Sequence, residues 1–238
     1  ATGNLFVDRW IGMLVNLPLL VPAFNSFLFY HLKHHSYLGV PGLDTDVPMN
    51  SEGKIFGNFF MKVFWMILQP FFYATRALII HPKLPSLWDI TGALLCITYD
   101  LLIYKLCGPW GFFYLVLCML LGMGLHPMSG HFIAEHYVKP PGQETYSYYG
   151  PMNYFLFNAG YHNEHHDIDQ ISGYNLPKLR KMAPEFYDNL TSYKSYSAVL
   201  WWYFTTPNVS TYTRITRTKK LFDVARKAEI KKFREKRD

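Results

Sequence analysis

Three imidazoles stand at His162, His165 and His166, within Gly160–Asp167, and three more at His31, His34 and His35. The spacing i, i+3, i+4 places each set on one face of a helix, within a turn. Packing has no use for three histidines in five residues, whereas a transition metal recruits several neutral imidazoles at once. With ten His in 238 residues, one such pattern arises by chance in roughly one or two chains per hundred, and two far more rarely. A solvated polar face is the competing reading of a single box, and the duplication argues against it.

Further histidines extend the set. His131 and His136 lie in Gly130–Tyr137, and with them the candidate ligands number eight. One zinc ion takes four ligands. A pair of iron ions, each holding several nitrogens and keeping positions open for oxygen, fits the count better. Ligating imidazoles usually donate their second N–H to a carboxylate or carbonyl, so Asp44, Asp46, Glu164 and Asp167 are candidate partners behind the ligands. His81 and His126 are read as structural.

These residues need elements to hold them. Half the chain is hydrophobic, 18% is aromatic and only 17% is charged, a composition that suggests membrane contact. Trp10–Tyr30 is apolar but carries Asn16, Pro18, Pro22 and Asn25, which favours a helix lying in the interface and leading into His31. Residues 55–80 are read as amphipathic surface helices, with a kinked span as the alternative. Leu87–Leu106 and Trp110–His131 are each long enough to cross a hydrocarbon core of about 30 Å. Cys107-Gly108-Pro109 between them predicts a tight membrane hairpin over residues 87–131. Lys83 and Lys139 flank it, and the positive-inside rule places both flanks in the cytosol. One hairpin between the boxes leaves them on the same side, as one metal centre requires. The expected architecture is all-α and integral to the membrane, a single domain over 1–238: one transmembrane hairpin, interfacial helices and a cytosolic histidine-rich metal-binding cap.

Net charge is +6, and residues 211–238 carry eleven Lys/Arg against four acids. This tail predicts a solvated basic helix beside anionic lipid or an acidic protein, not a nucleic-acid binder. Cys96, Cys107 and Cys118 show neither zinc spacing nor a disulfide framework. Ala1–Asn4 has no signal-peptide pattern.

The sequence resembles the membrane fatty-acid desaturase and hydroxylase superfamily, and within it the sphingolipid Δ4-desaturases. The resemblance runs through Asn16-Leu17-Pro18, the His31–His35 box, Gly42–Pro48, Gln69–Tyr73 and Leu125-His126-Pro127. It continues through Ser129–Phe132, Ala134–Tyr137, Glu144–Pro151, the second box and Gly173–Pro177. It implies a di-iron centre on His31, His34, His35, His162, His165 and His166, with His136 as a further ligand and His131 as a weaker one. It implies O2 as co-substrate, dihydroceramide as lipid substrate, and electrons from cytochrome b5 and its reductase. It also implies the endoplasmic reticulum membrane, with the metal site and C-terminus cytosolic. The family carries an earlier His-Asp-x-Ser-His box, and no histidine precedes His31. The chain is therefore expected to begin just after that box, without its N-terminal hairpin. Sphingolipid C4-hydroxylation and acyl-lipid desaturation are sibling alternatives. A non-catalytic histidine-rich membrane scaffold is the alternative from another class.

Overall fold

Asn4 Oδ1 accepts from the backbone N–H of Phe6 and Val7 and starts α1 (Leu5–Asn16). Pro18 and Pro22 then remove backbone donors, so the helix cannot run on. The chain turns through 107° into α2 (Phe24–Tyr37), whose last turns carry His31, His34 and His35. Both asparagines of the break bind backbone carbonyls: Asn16 Nδ2 donates to Val21 O at 2.7 Å and Asn25 Nδ2 to Trp88 O at 2.9 Å. This computed structural model describes residues 2–139, 143–218, 220 and 223.

Next come α3 (Asn50–Ile55), α4 (Phe59–Ile67) and α5 (Gln69–Ile80). Pro70 sits in the first turn of α5, and α4 and α5 meet at 72°, the break that Gln69-Pro70 predicts. The long α6 (Leu87–Gly124) opens on a capping box. Asp89 N donates to Ser86 Oγ at 3.3 Å, and Ser86 N donates to Asp89 Oδ2 at 2.8 Å. Its one non-helical residue is Gly108, at φ 68° and ψ −177°, immediately before Pro109. Only glycine adopts such angles readily, and this is where the sequence predicts a turn. Near one end of α6, Gly92 lies against Met13 and Asn25; at the other, Gly124 lies against Met66 and Ile67. Leu94, Ile97, Leu101, Leu106, Trp110 and Phe113 are all more than half exposed. Among the described residues, the helical stretch that begins at Leu87 is the one that is by itself long and apolar enough to cross a membrane, and Gly108 breaks it near its middle.

The sequence extends the second limb to His131, but α6 stops at Gly124. Pro127 lacks the N–H that would continue the ladder. His126 Nδ1 instead accepts from Met128 N at 3.2 Å, opening a 3-10 turn that leads into the short α7 (His131–Ala134). Beyond lie β1 (Ser147–Tyr148), α8 (His162–Asp167), α9 (Leu176–Met182), α10 (Pro184–Tyr187), β2 (Ser192–Tyr193) and α11 (Tyr196–Thr205). The two short strands pair in parallel.

A core of Trp65, Met66, Ile133, Tyr137, Tyr148, Tyr196, Leu200 and Tyr203 joins α4, α7 and α11. A Cβ on Gly130 would lie 2.6 Å from Tyr196 O, so α11 starts its run with its backbone against this glycine. Lys62 is buried beside this core, and its Nζ donates to Tyr203 O at 3.0 Å and Thr206 O at 2.8 Å. Those carbonyls close the C-terminus of α11, where the helix dipole favours a cation. Lys62→Met keeps most of the volume and strands both carbonyls. It should cost about 1–3 kcal/mol, seen as a lower Tm of the detergent-solubilised protein; an unchanged Tm would show that solvent replaces the ammonium at no cost.

The stretch after Thr211, read from sequence as a solvated helix, begins otherwise. Thr211 and Arg214 are buried. Val138 N donates to Thr213 O at 2.9 Å, Ile215 N to His136 O at 2.9 Å and Arg217 N to Gly39 O at 2.6 Å. Residues 213–217 are a strap tying the end of α2 to the segment after α7. Buried backbone groups at 136–138 demand partners, and the strap supplies them. Gly39, at φ +71°, lets Ile215 O approach within 3.0 Å of where a Cβ would stand. Lys219, residues 221–222 and residues 224–238 of the basic tail lie outside the described residues.

Candidate metal centre

Helical geometry divides each histidine box. At about 100° per residue, positions i and i+4 stand about 40° apart, while i+3 stands about 60° to the other side. In α2 this pairs His31 with His35 and sets His34 apart; in α8 it pairs His162 with His166 and sets His165 apart. The fold crosses the boxes. The Nε2 atoms of His31, His35 and His165 form a triangle with sides of 3.0–3.1 Å. His34, His136 and His166 form a second group. There His34 Nε2 lies 3.0 Å from His136 Nε2, and His162 Nε2 lies 2.9 Å from His136 Nε2. The groups adjoin, with the rings of His35 and His166 stacked at 4.3 Å.

These contacts suit a cation. Three nitrogens cannot alternate as donor and acceptor around a triangle, so hydrogen bonds alone leave at least one side repulsive. An N···N side near 3.0 Å is the separation of adjacent nitrogens around an ion with metal–nitrogen bonds of about 2.1 Å. His166 Nε2 is buried and has no hydrogen-bond partner among the described residues. The donors are imidazoles, which suit iron as well as zinc and copper. Burial lowers the basicity of His31 and His35: first burial, then the His35 charge, takes His31 down to about 3, and burial followed by His165 takes His35 to about 4. His136 and His162 fall well below the usual range, chiefly through burial. All four are therefore neutral near pH 7, the state in which imidazole ligates.

The carboxylates divide. His34 Nδ1 lies 3.1 Å from Asp44 Oδ2 and 3.6 Å from Asp46 Oδ2. Burial works to raise the Asp44 carboxyl, but the His34 contact, the Arg214 charge and the Gly39 N–H outweigh it and hold Asp44 ionised. Glu164 is buried and supports the centre only indirectly. It accepts from Ser147 Oγ and Tyr149 OH, both at 2.8 Å, while Asn163 N donates to the same Ser147 Oγ at 2.9 Å. Glu164 thus fixes α8 against β1. Asp167 is exposed and bonds Tyr187. His131 stands apart from both groups; its Nδ1 donates to Met128 O at 2.7 Å.

Two residues enter that sequence reasoning did not single out. Glu135 Oε1 lies 3.8 Å from His162 Nδ1, and burial pushes its carboxyl up to about 8. Its position beside His136 was the available signal. Arg214 sits 3.9 Å from the carboxylates of both Asp44 and Asp46. Nothing local marked it among the tail's many cations. Both line a cavity of about 360 Å³, together with His31, His34, His131, His136, His162 and His165. Phe27, Phe132, Ile171 and Leu176 supply apolar wall.

The sequence profile of the fatty acid desaturase family matches residues 2–197. The chain belongs to this family. It is 49% identical over 210 residues to "Sphingolipid delta(4)-desaturase DES1" of Bos taurus, covering 88% of this chain and 65% of that protein. It is 48% identical over 213 residues to the Homo sapiens protein of the same name, covering 90% and 66%. It is 47% identical over 220 residues to "Sphingolipid delta(4)-desaturase/C4-monooxygenase DES2" of Homo sapiens, covering 92% and 68%. The chain spans about two thirds of the length of the curated relatives it matches. No solved structure is a significant match. In this desaturase family member both histidine boxes and His136 fall inside the family match, whereas the strap that carries Arg214 lies beyond it.

Proposed function

We propose that the protein is an O2-dependent di-iron desaturase that introduces the 4,5-trans double bond into dihydroceramide. The observation that carries this reading is the convergence of seven imidazoles, as two adjoining groups, five of them on the wall of a cavity with apolar lining. His31, His35 and His165 would hold one iron; His34, His136, His162 and His166 would hold the other. Bound iron would supply the one-electron chemistry with O2 that removes hydrogen from C4 and C5. The chain's own residues prepare for it. The Asp44 carboxylate, 3.1 Å from His34 Nδ1, favours the proton on that nitrogen, which leaves the Nε2 lone pair turned into its group. Glu135 stands behind His162 in the corresponding place. Phe27, Phe132, Ile171 and Leu176 pack the alkyl chain and exclude water.

The proposed membrane arrangement follows from α6. It folds back at Gly108 as a hairpin, α1–α2 and α4–α5 lie in the interface, and the histidine helices form a cytosolic cap. Cytochrome b5 and its reductase would deliver electrons at the basic face, at the endoplasmic reticulum membrane. The placement has a direct consequence. Asn189-Leu190-Thr191 and Asn208-Val209-Ser210 are glycosylation sequons with exposed asparagines. Both should stay unmodified in eukaryotic cells, and an endoglycosidase-sensitive mass shift would put the cap on the wrong side.

Lipid mass spectrometry on cells lacking their own dihydroceramide desaturation tests the activity. Expression should lower the dihydroceramide-to-ceramide ratio, and an unchanged ratio would sink the substrate assignment. The name of the DES2 relative supports a second reading, C4 hydroxylation, and phytoceramide in the same extracts would reveal it. Purified protein holding zinc, with no oxygen-dependent product, would instead identify a scaffold.

A further inference from the structure

Arg214 is 5% exposed. Its Nε donates to Asp46 O at 2.9 Å, and its Nη2 faces the Asp44 and Asp46 carboxylates at 3.9 Å. Its Nη1 is buried and has no acceptor among the described residues, although the side chain lines the cavity beside the histidines. The strap fixes it there. Tyr137 and Arg214 pair as an antiparallel bridge, and Ile215 N donates to His136 O. This pairing fixes the Arg214 backbone beside the metal-bearing segment, and the Nε bond to Asp46 O holds the guanidinium at the wall. A buried N–H left unpaired is costly, and one built into a cavity wall signals an acceptor on the occupant.

The position limits what that acceptor can be. Asp44 Oδ2 is 3.1 Å from His34 Nδ1 and 3.9 Å from Arg214 Nη2, so the guanidinium lies just across one carboxylate from a metal-group imidazole. A lipid oxygen bound there sits only a few bonds from the carbons at the metal groups. An enzyme acting in the middle of an acyl chain would need apolar wall at this point. One acting at C4 of a sphingoid base must hold polar head atoms close by, because C3 carries a hydroxyl next to the reacting carbon. Arginine is always protonated and has no acceptor capacity, so it selects an oxygen lone pair.

We propose that Arg214 Nη1 binds the C3 hydroxyl oxygen of the sphingoid substrate and so sets which carbons face the metal groups. This rests on the dihydroceramide reading above. The test is binding of a short-chain dihydroceramide, and of its analogue lacking the C3 hydroxyl, to purified full-chain wild type and to Arg214→Gln and Arg214→Lys, with iron content and Tm measured alongside. Wild type should bind dihydroceramide roughly tenfold to a hundredfold more tightly than the deoxy analogue, as a hydrogen bond to a charged donor implies. Arg214→Gln should lose most of that preference by weakening only the hydroxylated ligand, and Arg214→Lys should keep part of it. Equal weakening of both ligands, with loss of iron, would reduce Arg214 to a support for Asp44 and overturn the proposal. So would a preference that survives in Arg214→Gln. Failure of wild type to bind dihydroceramide at all would instead bring down the substrate reading beneath it.

Discussion

Replacing His34 by alanine is expected to abolish desaturation and to lower bound iron from about two ions per chain to about one. His34 is the member of its box that crosses to the second group. Its Nε2 lies 3.0 Å from His136 Nε2, and its Nδ1 faces Asp44. No neighbouring side chain can take its place, because His31 and His35 are committed to the triangle with His165. Asp44→Asn should act through the same ring, weakening iron affinity by roughly 10–100-fold. His131→Ala is the informative contrast. Its imidazole is anchored on Met128 O outside both groups, so iron content should hold at the wild-type level. Iron per chain by plasma emission, alongside ceramide formation, reads all three. Full iron in His34→Ala, or loss of iron in His131→Ala, would overturn the assignment of ligands.

The second large effect is on stability. Glu52→Ala should cost about 3–5 kcal/mol, because it leaves a buried cation without its anion. Glu52 and Arg76 are 2% and 1% exposed. The Glu52 oxygens accept from Arg76 Nε at 2.8 Å and Nη2 at 2.9 Å, from Trp65 Nε1 at 2.7 Å and from Met49 N at 2.9 Å. Arg76 Nη1 also donates to Asp46 O at 3.3 Å. Damage at Glu52 should therefore reach the loop that carries Asp44 and Asp46 and loosen iron as well. Glu52→Gln, which keeps an acceptor for Arg76, should fall between wild type and alanine. The double variant Glu52→Leu/Arg76→Met should recover much of the loss, since no buried charge is then left alone. Thermal unfolding of the detergent-solubilised protein reads the series, and a Glu52→Ala variant as stable as wild type would contradict the network's role.

The local features were legible in the sequence because local geometry is carried by local residues. The i, i+3, i+4 spacing put each histidine set on one helical face. Pro18, Pro22 and Pro70 broke the helices where the donors are missing, and Gly108-Pro109 marked the one non-helical point of α6. Even the split of each box into a pair and a single imidazole lies in the 100° step of the helix. Asp44 was found as a partner because its loop closely follows the box it serves. Glu164 and Asp167 were equally near their box, yet one fastens α8 to Ser147 and Tyr149 and the other faces solvent. Proximity along the chain says nothing about which way a side chain meets its neighbours.

The family, too, was legible, since its motifs are words in the chain. What only the tertiary structure decided is which box completes which group. His165 joins α2's pair and His34 joins that of α8, across 134 and 102 residues of separation to His31 and His136. It also decided that Glu135 stands behind His162, and that Arg214 leaves a basic tail to become a buried cation at the cavity wall. Periodicity reports the face a residue occupies. The identity of whatever packs on that face is set by long-range contacts, where burial makes each polar group depend on a partner far along the chain.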